Sequence, residues 1–177
     1  MIEIESNIVE LCKKGDHKAQ MKMYSVFYKR IYNTCYRILR DSFEAEDTMQ
    51  ESFLKAFSKL DQYVDSIPLE AWLVRIAINT SIDKLRKKEL DIITLNENIA
   101  YDNIAETDDD LDWELIQNKV EQVKTAIEKL PESSRLIINL YLIEGYDHEE
   151  IAEILNIAPG TARIQYMRAK QKLVALI

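Results

Sequence analysis

Glycine and proline are scarce, three of each in 177 residues. Folds rich in tight turns are therefore not expected, nor collagen-like or proline-rich segments, nor glycine-rich phosphate loops. Cysteine is rarer still. Cys12 and Cys35 stand far apart with no histidine near either, which fits a reducing cytoplasm better than a disulfide framework or a zinc site. No apolar run approaches the roughly 20 residues that span a bilayer, so no membrane insertion is expected. The first residues, Met1-Ile2-Glu3-Ile4-Glu5, are acidic and lack a signal peptide's basic start and apolar stretch. Catalytic signatures are missing as well. His17 and His148 have no carboxylate or nucleophile at motif spacing, and Asp108-Asp109-Asp110-Leu111 lacks the glycine and distal glutamate of a calcium loop. With no Walker, zinc or glycine-rich motif, the expectation is no enzyme, no metal and no cofactor.

What is present is a soluble globular mix, 47% apolar and 31% charged, with a net charge of −8. The charge is unevenly placed. Residues 1–90 hold 15 Lys/Arg and 14 Asp/Glu, a net of +1. Residues 91–120 hold one lysine and nine acids, a net of −8. Residues 121–177 hold seven bases and eight acids, a net of −1. One acidic stretch thus supplies the whole imbalance, and each flank is free to carry a basic face.

The periodicity predicts an all-α protein. Ser6 is a candidate cap for a short helix ending at Gly15, and Asp16 for a second helix to about Arg40. In that second helix Ala19, Met23, Phe27, Ile31, Cys35 and Ile38 recur at steps of four and three. Asp41 or Ser42 opens a third helix with Ala45, Met49, Phe53, Ala56, Phe57 and Leu60 on one side. Residues 62–67 read as a loop, and Pro68 suits the first turn of a fourth helix reaching about Glu89. Residues 91–110 have no clear period and read as an acidic flexible linker. A helical period resumes at Leu111. Pro131 begins another helix, in which Leu136 to Ile143, nearly all apolar, reads as a buried helix. Two further helices follow, at about 147–155 and 159–174. The expected organisation is two small helical domains, 1–90 and 111–177, joined by 91–110, each only marginally able to bury a core alone.

Residues 147–173 read as a helix-turn-helix. Ile151, Ile154 and Leu155 point inward, Ala152 allows close helix approach, and Asn156 stands where the turn wants a left-handed residue. In the second helix Ala162, Tyr166, Ala169 and Leu173 share one face. The opposite face shows Arg163, Ile164, Met167, Arg168 and Gln171. Isolated exposed apolar residues are ordinary, but arginines interleaved with apolar tips suit a major groove, where they meet guanine edges, phosphates and thymine methyls. In the fourth helix Trp72, Arg75, Asn79, Asp83 and Arg86 share a face at steps of three, four, four and three. A ring, a cation and an amide together suit single-stranded nucleic acid. A core tryptophan with a solvated face is the plainer reading, and Lys84, Arg86, Lys87 and Lys88 also complement a helix C-terminus. The third helix carries Glu46, Asp47, Gln50 and Glu51 on and beside one exposed strip, which reads as a solvated face or as a docking surface for a basic partner helix, and not as a DNA contact.

Two blocks of residues resemble a known family. The first is Arg37-Ile-Leu-Arg-Asp41, Glu44-Ala-Glu-Asp-Thr-Met-Gln-Glu-Ser-Phe-Leu-Lys-Ala-Phe57, Trp72-Leu-Val-Arg-Ile-Ala-Ile-Asn79 and Asp83-Lys-Leu-Arg-Lys87. The second is Leu130-Pro131, Arg135, Glu144-Gly-Tyr146, Glu150-Ile-Ala-Glu-Ile-Leu155, Gly160-Thr161 and Arg168-Ala-Lys170 to Leu173. They resemble region 2 and region 4 of bacterial RNA polymerase sigma factors of the extracytoplasmic-function group of the sigma-70 family. The resemblance implies a region 2 helical bundle and a region 4 helix-turn-helix. It implies that Asp47, Gln50 and Glu51 dock on the clamp coiled coil of the largest subunit of core RNA polymerase. Tyr63, Trp72, Arg75, Asn79, Lys84, Arg86 and Lys87 then fall in the part that engages and melts the minus-10 element, with residues 62–67 at a base-capturing pocket. Thr161, Arg163, Ile164, Met167 and Arg168 fall on the helix that reads minus-35 duplex DNA. Promoter DNA is the implied ligand, and an anti-sigma factor, often membrane-anchored in this group, the implied regulator. Asn156 replaces the family's usual turn glycine, and Ala158 stands where a capping serine is common.

A stand-alone helix-turn-helix regulator with a helical interaction domain is the alternative. It requires duplex binding without polymerase, typically as a dimer on two half-sites. The weak basic balance favours the polymerase subunit, since phosphate contacts supply most non-specific affinity.

Overall fold

The computed structural model describes residues 2–87 and 113–177, with side chains at 8–87 and 119–177. The chain divides into two compact units, Met1–Leu90 and Asp91–Ile177. The described residues are helical, with no strand among them. The linker 91–110 and the ends of the segments beside it lie outside the described residues.

The first unit holds α1 (Ile2–Lys13), α2 (His17–Leu39), α3 (Ser42–Ser58), a 3-10 turn (Leu60–Gln62) and α4 (Leu69–Lys87). Helix α1 starts at Ile2, so Ser6 lies inside it and is not its cap. The next two starts follow the sequence. Asp16 accepts a hydrogen bond from the Ala19 amide at 2.9 Å, and Asp41 accepts one from the Glu44 amide at 2.9 Å. Each satisfies an amide that the first helical turn leaves without a partner.

Helix α2 is the axis of this unit, packing on α1, α3 and α4. Its apolar line, Met23, Phe27, Ile31 and Cys35, is buried, as are Ala45, Met49, Phe53 and Ala56 of α3 and Leu69, Leu73, Ala77 and Ile78 of α4, two of the helices it packs on. Helix α2 ends on Arg40, which takes a left-handed conformation at φ 59°. A non-glycine residue there costs about 1–2 kcal/mol. The Arg40 guanidinium lies over the Tyr36 ring at 5.5 Å, a contact that offsets part of this cost.

The second unit holds α5 (Trp113–Lys129), α6 (Glu132–Ile138), a π-helical turn (Asn139–Ile143), α7 (His148–Leu155) and α8 (Pro159–Val174). Pro131 caps α6 and does not occupy its first turn. The apolar run from Leu136 departs from the expectation of one buried helix. Leu136 to Leu140 are buried, but the backbone widens to the π form at Asn139, and Leu142 and Ile143 are exposed. The wider turn lets Asn139 be buried inside a helical segment and swings the last two apolar residues outward.

Candidate nucleic-acid interface

The second unit fixes its α7–α8 corner with local chemistry at both ends. Asp147 accepts from the amides of Glu149 and Glu150 at 2.9 and 2.8 Å, and Glu150 accepts from the Asp147 amide at 2.9 Å. This reciprocal capping box sets the start of α7. At its other end Asn156 is left-handed, φ 56° and ψ 50°, as the turn required. Ala158 caps α8 with no side-chain hydrogen bond, and Pro159 follows at its first position.

Helix α8 is split as its angular pattern predicts. Ala162, Ala169 and Leu173 are buried, and Tyr166 is half-buried. Tyr166 sits 4.2 Å from Tyr141 and 5.2 Å from His148, which itself stacks on Tyr141 at 4.9 Å. Three rings from the π turn, α7 and α8 thereby brace the corner. Burial, with Tyr141 beside it, raises the Tyr166 pKa, so the hydroxyl stays protonated and uncharged.

The outer face of α8 presents Thr161, Arg163, Ile164 and Met167. Ile164 and Met167 are 41% and 42% exposed. Arg168 is only half-exposed, and its Nε is buried without a hydrogen-bond partner. Of the two arginines, Arg163 is thus the open one.

In the first unit, α4 gathers the second set. Trp72 and Arg75 are half-buried, Asn79 and Arg86 exposed, Lys84 half-buried and Lys87 exposed. Arg86 lies 3.8 Å from Asp83, a loose surface pair of little energetic consequence. Tyr63 differs from an open base-stacking residue. It is 8% exposed, and its hydroxyl donates to the Ile67 carbonyl at 2.8 Å. Its ring meets Trp72 edge-on, with centroids 5.4 Å apart. Tyr63 is therefore the floor under the 62–67 loop, and it holds Trp72 in place. Val64 and Ile67 are the exposed apolar residues of that loop.

Helix α3 brings its acidic strip to the surface as expected. Glu46, Asp47, Gln50 and Glu51 are all exposed. Glu51 pairs with Lys55 at 2.8 Å, and that hydrogen bond holds its carboxyl below its ordinary pKa. The sequence reading missed the flanks of the strip. Phe43 is 82% exposed and Leu54 is 70% exposed. With Asp47 and Gln50 they follow steps of four, three and four, so the four residues form one line along the helix. That spacing was the available signal.

Among the described residues, no group of three metal-ligating side chains occurs, and no helix is long and apolar enough to cross a membrane.

The sequence matches the family model for Sigma-70 region 2 over residues 23–90 and that for Sigma-70, region 4 over residues 120–173. It is 34% identical over 176 residues to the ECF RNA polymerase sigma factor SigW of Bacillus subtilis (strain 168), covering 93% of this chain and 92% of that protein. It is 28% identical over 173 residues to the ECF RNA polymerase sigma-E factor of Escherichia coli (strain K12), covering 94% and 90%. Two solved structures share the fold. One is CnrH in complex with the cytosolic domain of CnrY, at TM-score 0.55 and 21% identity over 96% of this chain and 94% of that one. The other is the sigma factor RpoE of Bartonella quintana in complex with the anti-sigma factor NepR, at TM-score 0.56 and 23% identity over 88% and 94%.

Proposed function

The chain belongs to the extracytoplasmic-function group of the sigma-70 family, and from that premise we propose that its two units divide promoter recognition between them. As a sigma factor of this group it directs RNA polymerase to promoters. In the proposed division, residues 1–90 dock on core polymerase and open the minus-10 element, and residues 111–177 read the minus-35 element. The residues between them, 91–110, span the two. The protein confers specificity and carries out no catalytic step, and its place of action is the cytoplasm.

The observation that carries this reading is the outer face of α8. A helix fixed by a capping box and a left-handed turn holds Arg163, Ile164 and Met167 in the open. Two large apolar side chains at this exposure disfavour a purely solvated face. A major groove satisfies both kinds of residue at once, through guanine edges for the arginine and thymine methyls for the apolar tips. Thr161 and Arg168 border that face and fall to the backbone. In the first unit, Trp72, Arg75 and Asn79 engage the unpaired minus-10 strand, with Tyr63 holding Trp72. Lys84, Arg86 and Lys87 attract phosphates beyond them. Asp47, Gln50 and Glu51 dock on the clamp coiled coil of the largest polymerase subunit. An anti-sigma factor that covers one of these faces is the proposed regulator, as NepR is a partner of the related RpoE.

The test is a pull-down with sigma-free core polymerase, comparing the parent with the double substitution Asp47→Lys and Gln50→Ala. Binding by the parent that the double substitution removes supports the division of roles. Salt-sensitive binding to duplex DNA alone, with no polymerase binding, supports the stand-alone regulator and overturns it.

A further inference from the structure

Helix α2 carries a surface that promoter recognition leaves unused. Between His17 and Arg40 stand six cations, Lys18, Lys22, Lys29, Arg30, Arg37 and Arg40, and not one acidic side chain, in a protein of net charge −8. Folding alone does not ask for this. A long surface helix is normally stabilised by acids in its first turn and by acid–base pairs four residues apart; α2 has no acid in its first turn and none beyond it.

The same helix carries four tyrosines at intervals of four, Tyr24, Tyr28, Tyr32 and Tyr36. Each step advances about 6 Å along the helix and drifts about 40° around it, so the rings form a ladder on one flank. Tyr24 and Tyr28 stack with centroids 5.9 Å apart, and Tyr32 and Tyr36 with centroids 6.1 Å apart, both pairs within 13° of parallel. The ladder's first rung is closed by Phe53 of α3 at 4.8 Å. The later rungs are open, with Tyr28 and Tyr36 exposed and Tyr32 half-exposed. Lys29 lies over the Tyr28 ring and Arg40 over the Tyr36 ring. Arg30, whose Nε pairs with Glu70 of α4 at 3.1 Å, marks the other flank of α2. The ladder therefore runs along the flank of α2 opposite Arg30 and its α4 partner Glu70.

We propose that this flank of α2 is a second binding surface for single-stranded nucleic acid, with phosphates on Lys18, Lys22 and Lys29 and bases against Tyr28, Tyr32 and Tyr36. Partly exposed rings beside a row of cations suit a sequence-tolerant single-strand groove, where bases meet aromatic side chains and each step has a phosphate to pair. An acidic polypeptide uses the lysines but has no such need of the ladder. The inference stands on α2 alone and does not depend on the assignment of roles to α3, α4 and α8.

The experiment is fluorescence anisotropy of a labelled oligothymidylate with the full chain and no polymerase, over a series of salt concentrations. Four variants are compared. They are Lys18→Gln/Lys22→Gln/Lys29→Gln, Tyr28→Leu/Tyr36→Leu, Tyr28→Phe/Tyr36→Phe, and Lys84→Gln/Arg86→Gln/Lys87→Gln on α4. Circular dichroism melting checks that each variant is folded. Loss of the three α2 lysines is expected to weaken binding and reduce the logarithmic salt slope by about two. The leucine variant is expected to lose about tenfold in affinity at an unchanged slope, and the phenylalanine variant to keep the parent's affinity. The proposal fails if the parent does not bind the oligonucleotide at low salt, or if only the α4 variant loses binding. It also fails if leucine serves as well as phenylalanine, or if poly-glutamate competes as well as unlabelled oligonucleotide. The last outcome would make α2 a surface for acidic proteins instead.

Discussion

Tyr63 stands edge-on to Trp72, their ring centroids 5.4 Å apart, while its hydroxyl is spent on the Ile67 carbonyl at 2.8 Å. One side chain thus ties the far end of a loop to its near end and fixes the ring of Trp72, which we propose meets the minus-10 strand. Tyr63→Phe removes the hydrogen bond and keeps the packing, so a stability loss of about 1 kcal/mol is expected. Trp72→Ala should act on function more than on stability. Promoter opening, followed by fluorescence of a base analogue in the minus-10 element, should fall while polymerase binding is unchanged. Loss of polymerase binding in that variant would place Trp72 in the wrong interface.

The exposed line Phe43, Asp47, Gln50 and Leu54 on α3 supports a docking surface with apolar ends and a polar centre. Large apolar residues left open at the rim of an interface become anchors when a partner covers them. Phe43→Ser and Leu54→Ser are each expected to weaken core polymerase binding at least about tenfold, which is about 1.4 kcal/mol. Thermal stability should change by no more than about 0.5 kcal/mol, because neither residue packs in the free protein. Calorimetric titration against core polymerase and a melting curve separate the two effects.

On α8, Arg163→Ala and Met167→Ala are expected to cost about 1–3 kcal/mol each in promoter discrimination. The readout is transcription in vitro from templates that differ only in the minus-35 element. Core polymerase binding should be unaffected. An equal loss on every template would make these residues phosphate contacts instead of base readers.

The left-handed turn at Asn156 gives a stability test of the helix-turn-helix. Asn156→Ala places an ordinary side chain at φ 56° and is expected to lower stability by about 1 kcal/mol. Asn156→Gly should be close to neutral, since glycine reaches that conformation freely but adds entropy to the unfolded chain. Chemical denaturation of the three proteins distinguishes the outcomes.

Cys35 is fully buried, and burial pushes its thiol up from 9.0 to about 11 against smaller opposing effects of Ser81, Lys84 and Arg37. Because the folded value is raised, the folded state holds this proton more tightly than the unfolded state. The associated stability is complete below about pH 9 and is lost as pH rises toward 11. The urea midpoint is therefore expected to fall over that range in the parent and to fall less in Cys35→Ala. Iodoacetamide at pH 8 should leave Cys35 unmodified until the protein unfolds.

Much of this is legible in the sequence. Asp16 and Asp41 start helices because a short carboxylate can satisfy first-turn amides without help from the rest of the fold. The steps of three and four that place Met23, Phe27 and Ile31 inside, or Arg163 and Met167 outside, are likewise local geometry. The acidic linker was read from composition alone and lies outside the described residues. Other features gave little local signal. Arg40 holds a left-handed position that sequence would assign to glycine, because the Tyr36 ring beneath it supplies compensation. The run from Leu136 to Ile143 carries a uniform apolar pattern, so nothing in it marks the residue where the backbone widens.

By itself the sequence determined most of the helices and their order, the caps at Asp16 and Asp41, and the inward faces of α2 and α8, since these follow from hydrogen bonds and periodicity within a few residues of one another. It also carried the two blocks that identify the family. Only the tertiary structure decided which outward residues remain open. It buried Tyr63 under its own loop, turned part of Arg168 inward, and left Phe43 and Leu54 bare beside Asp47 and Gln50. Exposure depends on which neighbouring element arrives at a helix flank, and that arrival is set by contacts far apart along the chain.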